Sequence, residues 1–150
     1  YYISGAQIAA SYPLKRMNIE VIPTSYIIVE PGRAAGWIGR VQLIPRELPY
    51  LAAVTALAGQ YMGSHLVILE AGGGASKHVP LAMIAHTRKL IDIPLVVAGG
   101  VKTPKQAKSC IKAGANIVHV GTAIENVSNN FQKARKRLQA LAKAVAEAGR

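Results

Sequence analysis

The sequence predicts an α/β fold in which parallel strands alternate with helices. Short apolar runs rich in β-branched residues recur along the chain, and a stretch of helical periodicity follows each. The runs are continuously apolar, as expected when helices cover both faces of a sheet. With 150 residues, 51% of them apolar and 17% charged, the composition excludes general disorder and favours one domain spanning residues 1–150.

The elements can be placed in order. The strands are predicted at residues 19–29 (interrupted by Pro23), 65–69, 94–97 and 116–120. An opening helix is predicted within residues 1–18 because alanines favour helix. The later helices are predicted at residues 49–62, 80–90, 104–113 and 128–148. Pro49, Pro80 and Pro104 are expected at the first helical position, where no amide hydrogen is needed.

The last helix shows the clearest periodicity. Apolar residues recur at steps of three or four and should pack against the sheet: Phe131, Ala134, Leu138, Leu141 and Val145. The basic side chains are expected mainly on the outside: Lys133, Arg135, Lys136, Arg137 and Lys143.

Charge and composition narrow the classes of partner. Eighteen Lys and Arg against seven Asp and Glu give a net charge of +11, which favours anionic partners. With one Phe and one Trp, no nucleic-acid partner is expected. The single cysteine, Cys110, excludes an internal disulfide, and no residues are assigned to a metal. No apolar run approaches the roughly 20 residues of a membrane-spanning helix, so a cytoplasmic location is expected.

Three glycine-containing turns follow successive predicted strands: residues 70–75, Gly99-Gly100 and Gly121-Thr122. Ligands bind at this edge of parallel α/β folds. Because glycine lacks Cβ, backbone amides there can approach a phosphate closely, and the helix that follows adds a favourable dipole. The turns indicate a phosphorylated ligand, with tight turns that hold no ligand as the alternative.

Glu70 is the best candidate for chemistry. It ends an apolar strand, where burying a carboxylate is costly unless it points into a site. The alternative is a structural hydrogen bond to neighbouring amides.

Several separate motifs, in order, resemble a known family. The runs EVIPTSYIIVEPG, GWIG, IPRELP, LEAGGGA, IPLVVAGGVKTPKQA and KAGANIVHVGTAIE are similar to the C-terminal half of archaeal geranylgeranylglyceryl phosphate synthases, which are (β/α)₈ TIM-barrel prenyltransferases. The resemblance implies that this chain covers about the C-terminal half of such a barrel. Because the chain opens without the strand that should precede its first helix, a fragment is expected.

The resemblance implies transfer of a geranylgeranyl group from its diphosphate to the 3-hydroxyl of sn-glycerol 1-phosphate, with Mg²⁺, in archaeal membrane ether-lipid synthesis. Glu70 would bind the glycerol hydroxyls and act as the catalytic residue. The stretch that would hold glycerol phosphate comprises Ile68, Leu69, Glu70, Ala71, Gly72, Gly73 and Gly74. The residues that would cradle its phosphate are Gly99, Gly100, Gly121 and Thr122. A homo-oligomer and peripheral membrane contact are also expected, with Trp37, in a Gly-rich loop, anchoring a partner subunit or closing over substrate.

Two positions depart from the family pattern. Ile68 stands where the family usually has Tyr, and Gly73 where it has Ser. Each change removes a group that could hydrogen-bond a polar substrate, a contact worth about 0.5–1.5 kcal/mol net. The magnesium ligand of the family lies in its N-terminal part, so this chain by itself is expected not to bind the metal in the usual way.

Three other interpretations stay open at this point. A different phosphate-binding barrel, such as one holding a flavin phosphate, would use the same turns. A nucleic-acid binder would use the basic residues 101–150. An inactive half-barrel would bind phosphorylated ligands only and associate through its open edges.

Overall fold

The computed structural model describes residues 2–149, and the side chains of residues 8–149. In this range four parallel strands alternate with helices in a single sheet of order β1-β2-β3-β4. The strands are β1 (Thr24–Ile28), β2 (Leu66–Glu70), β3 (Leu95–Ala98) and β4 (Ile117–Val118). The helices are α1 (Tyr2–Arg16), α2 (Arg33–Gly39), α3 (Pro49–Tyr61), α4 (Leu81–Leu90), α5 (Pro104–Lys112), α6 (Thr122–Glu125) and α7 (Phe131–Ala148). No helix of residues 2–149 is long and apolar enough to cross a membrane.

The register brings the ends of three strands together. Glu70 pairs with Ile28 on one side and with Ala98 on the other. Because the strands are parallel, the segments that follow all three leave the sheet at the same edge. This edge carries the site described below.

The main core lies between the sheet and its helices. Val67, Leu69 and Val97 are fully buried there. Successive strand residues point to opposite faces, and on the second face Tyr26 and Ile117 are 51% and 46% exposed. The prediction that helices cover both faces of the sheet is therefore wrong at Tyr26 and Ile117. Both faces are nevertheless largely apolar.

Two strands are shorter than predicted. Strand β1 begins at Thr24, whose ladder partner is Leu66, the first residue of β2. Residues 19–23 are not in the ladder with β2, although the Pro23 carbonyl oxygen accepts a hydrogen bond from the His65 amide at 2.8 Å. At the other edge, β4 pairs only with Val96 and Val97 of β3 and is limited to two residues.

Two short helices, α2 and α6, were not predicted from the sequence. Residues 33–39, expected as a loop, form α2, in which Trp37 is 84% exposed. Residues 122–125 form α6 directly after the third glycine turn. Pro49 and Pro104 open their helices as predicted, whereas Pro80 lies one residue earlier, at the N-cap of α4.

Only part of the apolar side predicted for α7 packs against the rest of the protein. Leu141 is buried and Val145 packs against the core, but Phe131 and Leu138 are 74% and 57% exposed. Helical periodicity locates an apolar side of the helix, and the neighbouring elements then decide how much of it is covered.

The start of α5 offers a test of local stability. The Thr103 side chain accepts a hydrogen bond from the Gln106 amide, and the Gln106 side chain accepts one from the Thr103 amide. Because such a capping box satisfies two free helix amides, Thr103→Ala should lower the free energy of unfolding by about 1 kcal/mol. Urea denaturation measures this change, and an unchanged midpoint would contradict the role of the cap.

Candidate functional site

The Glu70 carboxylate is buried at the end of β2 and is held by two donors. Its side chain is only 8% exposed. One oxygen, Oε1, accepts a hydrogen bond from the Gly72 amide at 2.6 Å, and the other, Oε2, accepts one from the Tyr26 hydroxyl at 3.1 Å. The hydrogen bond from the Gly72 amide is the structural contact that the sequence left open as an alternative. Glu70 makes this contact and also lies at the mouth of a cleft. The carboxylate is therefore oriented before any ligand arrives.

Tyr26 is the second polar group of this arrangement. Burial, the nearby charge of Glu70 and the hydrogen bond to it raise the pKa of Tyr26 to about 12. The phenol therefore stays protonated at neutral pH and acts as a donor to Glu70. Tyr26 lies beside Ile68 in the register, and its side chain reaches two residues further along β2.

The raised pKa of Tyr26 predicts that the stability of the folded protein depends on pH. The folded-state pKa of about 12 lies above the ordinary value of 10.0, so the stability that this contact contributes is full below pH 10 and is lost as the pH rises through about 12. Ultraviolet absorbance follows the ionisation of tyrosines as the pH is raised. The part of this signal that is lost in Tyr26→Phe belongs to Tyr26, and in the unsubstituted protein it should appear near pH 12. Glu70→Gln should lower that pKa only partly, because burial is the largest cause. Titration of Tyr26 near pH 10 in the unsubstituted protein would contradict the assignment.

Glycines bring the backbone close to Glu70 and to the neighbouring loop. Gly99 has a φ of +79°, and a Cβ there would lie 2.3 Å from Glu70 Oε1 and 2.6 Å from the Gly72 nitrogen. Gly100 has a φ of +72°, and a Cβ there would lie 2.4 Å from the Lys77 carbonyl oxygen. Both positions combine a left-handed conformation with a close approach, which only glycine permits.

A cleft of about 550 Å³ opens beside Glu70 at the carboxyl ends of the strands. The predicted site residues that line it are Glu70, Gly73, Gly74, Gly99, Gly100, Gly121 and Thr122. The structure thus brings together residues from all three glycine-containing turns.

Four of the predicted positions lie outside the cleft lining. The side chains of Leu69 and Ala71 are fully buried in the core, on the face of β2 opposite Glu70. Gly72 is buried and donates to Glu70, and Ile68 is half-buried two residues before Glu70. Leu69 and Ala71 therefore contribute their side chains to the core instead of the cleft.

The cleft also contains residues that the sequence analysis did not assign to it. They are Ala98, Val101, Lys102, Thr103, His119, Ala123, Glu125, Asn126 and Arg137. Lys102 and Thr103 follow the second glycine turn after Val101, and this closeness in sequence could have indicated them. Arg137 was expected on the outside of α7, but it is half-buried and its Nη1 donates to the Ala123 carbonyl oxygen at 2.7 Å. Helical periodicity does not give the reach of a long side chain toward a neighbouring element.

Another cleft, of about 910 Å³, lies beside the amino-terminal end of β1. Its lining is largely apolar and includes Leu14 of α1, Met62, and Ile19, Val21, Ile22 and Pro23 from the segment before β1. Tyr26 also lines it, and the Tyr26 hydroxyl contacts Glu70. One side chain thus connects the apolar cleft with the carboxylate.

The described residues do not form a metal centre by themselves. Among them, no three His, Cys, Asp or Glu side chains are grouped so that they could hold a metal ion. The Glu70 carboxylate is already engaged by Tyr26 and Gly72.

Three features together define the structural class of this protein: parallel strands, helices packed on the core face and a glycine-lined cleft at the carboxyl ends of the strands. The protein is a (β/α)₈-barrel protein, of which this chain supplies four βα units. The PcrB family model matches residues 1–144, and the chain belongs to the PcrB family.

Named relatives agree with this membership. The chain is 48% identical over 145 residues to geranylgeranylglyceryl phosphate synthase of Pyrococcus furiosus, covering 97% of this chain and 57% of the relative. It matches the crystal structure of (S)-3-O-geranylgeranylglyceryl phosphate synthase from Thermoplasma acidophilum in complex with sn-glycerol-1-phosphate, with a TM-score of 0.89, 35% identity and coverage of 96% of this chain and 57% of that chain. Wild-type synthase from Thermoplasma volcanium gives a TM-score of 0.88 at 34% identity, covering 95% and 56%. The chain therefore spans little more than half the length of these relatives.

Proposed function

We propose that this chain is the part of a prenyltransferase that binds glycerol phosphate. In this proposal, the whole protein moves a geranylgeranyl group from geranylgeranyl diphosphate to the 3-hydroxyl of sn-glycerol 1-phosphate, a step of archaeal membrane ether-lipid synthesis. The observation that carries the proposal is the buried Glu70 carboxylate, oriented by Tyr26 and Gly72 at the mouth of a glycine-lined cleft. The names of the relatives, and the sn-glycerol-1-phosphate in the Thermoplasma acidophilum structure, support it.

The cleft suits a small phosphorylated alcohol. Gly99, Gly100 and Gly121 present backbone without side chains, and Thr122 adds a hydroxyl. Backbone amides in such turns can donate to phosphate oxygens. With the phosphate at this end, a three-carbon alcohol would extend toward Glu70.

Glu70 would orient the attacking hydroxyl and take its proton. An ionised carboxylate accepts about four hydrogen bonds, so the two bonds from Gly72 and Tyr26 leave capacity for the glycerol hydroxyl. As the new carbon–oxygen bond forms, the allylic carbon–oxygen bond breaks and the diphosphate leaves with its electron pair. The hydroxyl proton passes to Glu70. Because the carboxylate is already held, little reorganisation is needed.

The apolar chain of the prenyl substrate needs a long apolar surface. Tyr26 is 51% exposed and its hydroxyl contacts Glu70, so its ring would contribute to such a surface beside the reacting groups. The strand residues Ile27 and Ile28, by contrast, are buried at 6% and 5% exposure and belong to the packed interior.

Magnesium remains part of the proposal. When bound, it would neutralise charge on the departing diphosphate. The family resemblance places its ligands in the N-terminal part of the relatives, and no three His, Cys, Asp or Glu side chains are grouped for a metal among the described residues. A cytoplasmic location, a homo-oligomer, peripheral membrane contact and the absence of a nucleic-acid partner belong to the same proposal.

Turnover and binding together test this function. The complete protein is incubated with Mg²⁺, labelled geranylgeranyl diphosphate and sn-glycerol 1-phosphate, and the label is followed into a phospholipid product. The mirror-image sn-glycerol 3-phosphate serves as the control substrate. Binding of sn-glycerol 1-phosphate is followed at the amides of Gly100 and Gly121 by nuclear magnetic resonance. Absence of both product and amide shifts would overturn the proposal.

A further inference from the structure

Arg137 reaches from α7 to the segment that follows the third glycine turn. Its Nη1 donates to the Ala123 carbonyl oxygen at 2.7 Å, and its side chain lines the same cleft as Gly121 and Thr122. The contact fixes the guanidinium against α6 at the end of the cleft formed by the third turn.

Among the described side chains, no carboxylate lies within ion-pair distance of this guanidinium. Among the side chains that the structure describes, the one ion pair within 4.0 Å joins Lys108 and Glu147. A guanidinium has five N–H donors, and the bond to Ala123 accounts for one of them. Arg137 therefore brings a positive charge and further donor capacity to the cleft.

The cleft lining holds other charged side chains besides Arg137. One is Glu125, whose Oε1 lies 3.3 Å from where a side chain at Gly121 would begin. Lys102 is the other strongly basic residue of the cleft lining. Glu70 is engaged by Tyr26 and Gly72.

We propose that Arg137 binds the phosphate of the ligand directly and selects for a phosphorylated alcohol over the unphosphorylated one. Glycine turns supply hydrogen bonds but no net charge, whereas a planar guanidinium matches two phosphate oxygens and carries the opposite charge. This inference rests on the proposed function only in placing a phosphate in the cleft. It assigns a binding residue that comes from α7 and not from the glycine turns.

The test compares two variants of one helix in the complete protein. Arg137→Gln and Arg135→Gln remove the same formal charge, but Arg135 is exposed and lies outside the cleft lining. Inorganic phosphate and sn-glycerol 1-phosphate are titrated by calorimetry at two salt concentrations. Arg137→Gln should weaken binding of both by about tenfold to a hundredfold and reduce the salt dependence, while Arg135→Gln should bind as the unsubstituted protein does.

The outcomes separate this inference from the proposed function. Equal phosphate affinity of the two variants would overturn the role of Arg137 and leave the glycerol phosphate site standing. Phosphate binding that depends on Arg137, without tighter binding of sn-glycerol 1-phosphate, would support Arg137 and contradict the proposed substrate. Absence of binding of either ligand to the unsubstituted protein would overturn both. If Arg137→Gln does not fold, Arg137→Lys replaces it, because it keeps the charge but not the planar donors; affinity equal to the unsubstituted protein would then overturn the inference.

Discussion

Replacing Glu70 with Gln should lower the rate of prenyl transfer by about a hundredfold to ten-thousandfold, the usual contribution of a general base. The amide keeps the shape of the side chain and an oxygen for the Gly72 amide, so the fold should persist. It cannot take a proton from the glycerol hydroxyl. Steady-state kinetics of the complete protein with saturating substrates measures the effect as a fall in kcat.

The matched control for this prediction is Glu47→Gln. It makes the same chemical change at an exposed position outside the cleft lining, so kcat should stay at the unsubstituted value. Circular dichroism of both variants checks that the fold is intact. A folded Glu70→Gln protein with near-full turnover would remove Glu70 from the reaction.

Gly99→Ala should have the largest effect on stability. A φ of +79° costs a residue with a Cβ about 1–2 kcal/mol. The new methyl would also lie 2.6 Å from the Gly72 nitrogen and 2.3 Å from Glu70 Oε1, so the backbone of the site must shift. We expect the free energy of unfolding to fall by about 4 kcal/mol or more, with loss of phosphate binding, as measured by urea denaturation and calorimetry.

Gly63→Ala separates the two causes of this destabilisation, which are the strained backbone conformation and the steric clash of the new methyl group. Gly63 has a φ of +96° but nothing within 4 Å of an added Cβ. Its substitution should therefore cost only the conformational strain, about 1–2 kcal/mol. Equal destabilisation by the two substitutions would show that the close approach of Gly99 to Glu70 contributes nothing.

The sequence by itself determined the class of the fold and the main candidates for the site. Continuous apolar runs predicted strands at the positions of β1 to β4, and glycines after three of them predicted a cleft at the carboxyl ends. Glu70 was recognisable because a carboxylate at the end of an apolar strand needs a reason to be there. These inferences depend on local patterns, which a sequence displays directly.

Tertiary structure alone decided which side chains meet. It limited β1 to Thr24–Ile28 and β4 to two residues, because a strand extends only as far as a neighbour pairs with it. It joined Tyr26 to Glu70 across 44 positions of sequence, and it brought Arg137 into a cleft from which helical periodicity had excluded it. Such contacts depend on strand register and on the packing of α7 beside α6. No local pattern encodes them, because the partners are distant in sequence and become neighbours only when the sheet forms.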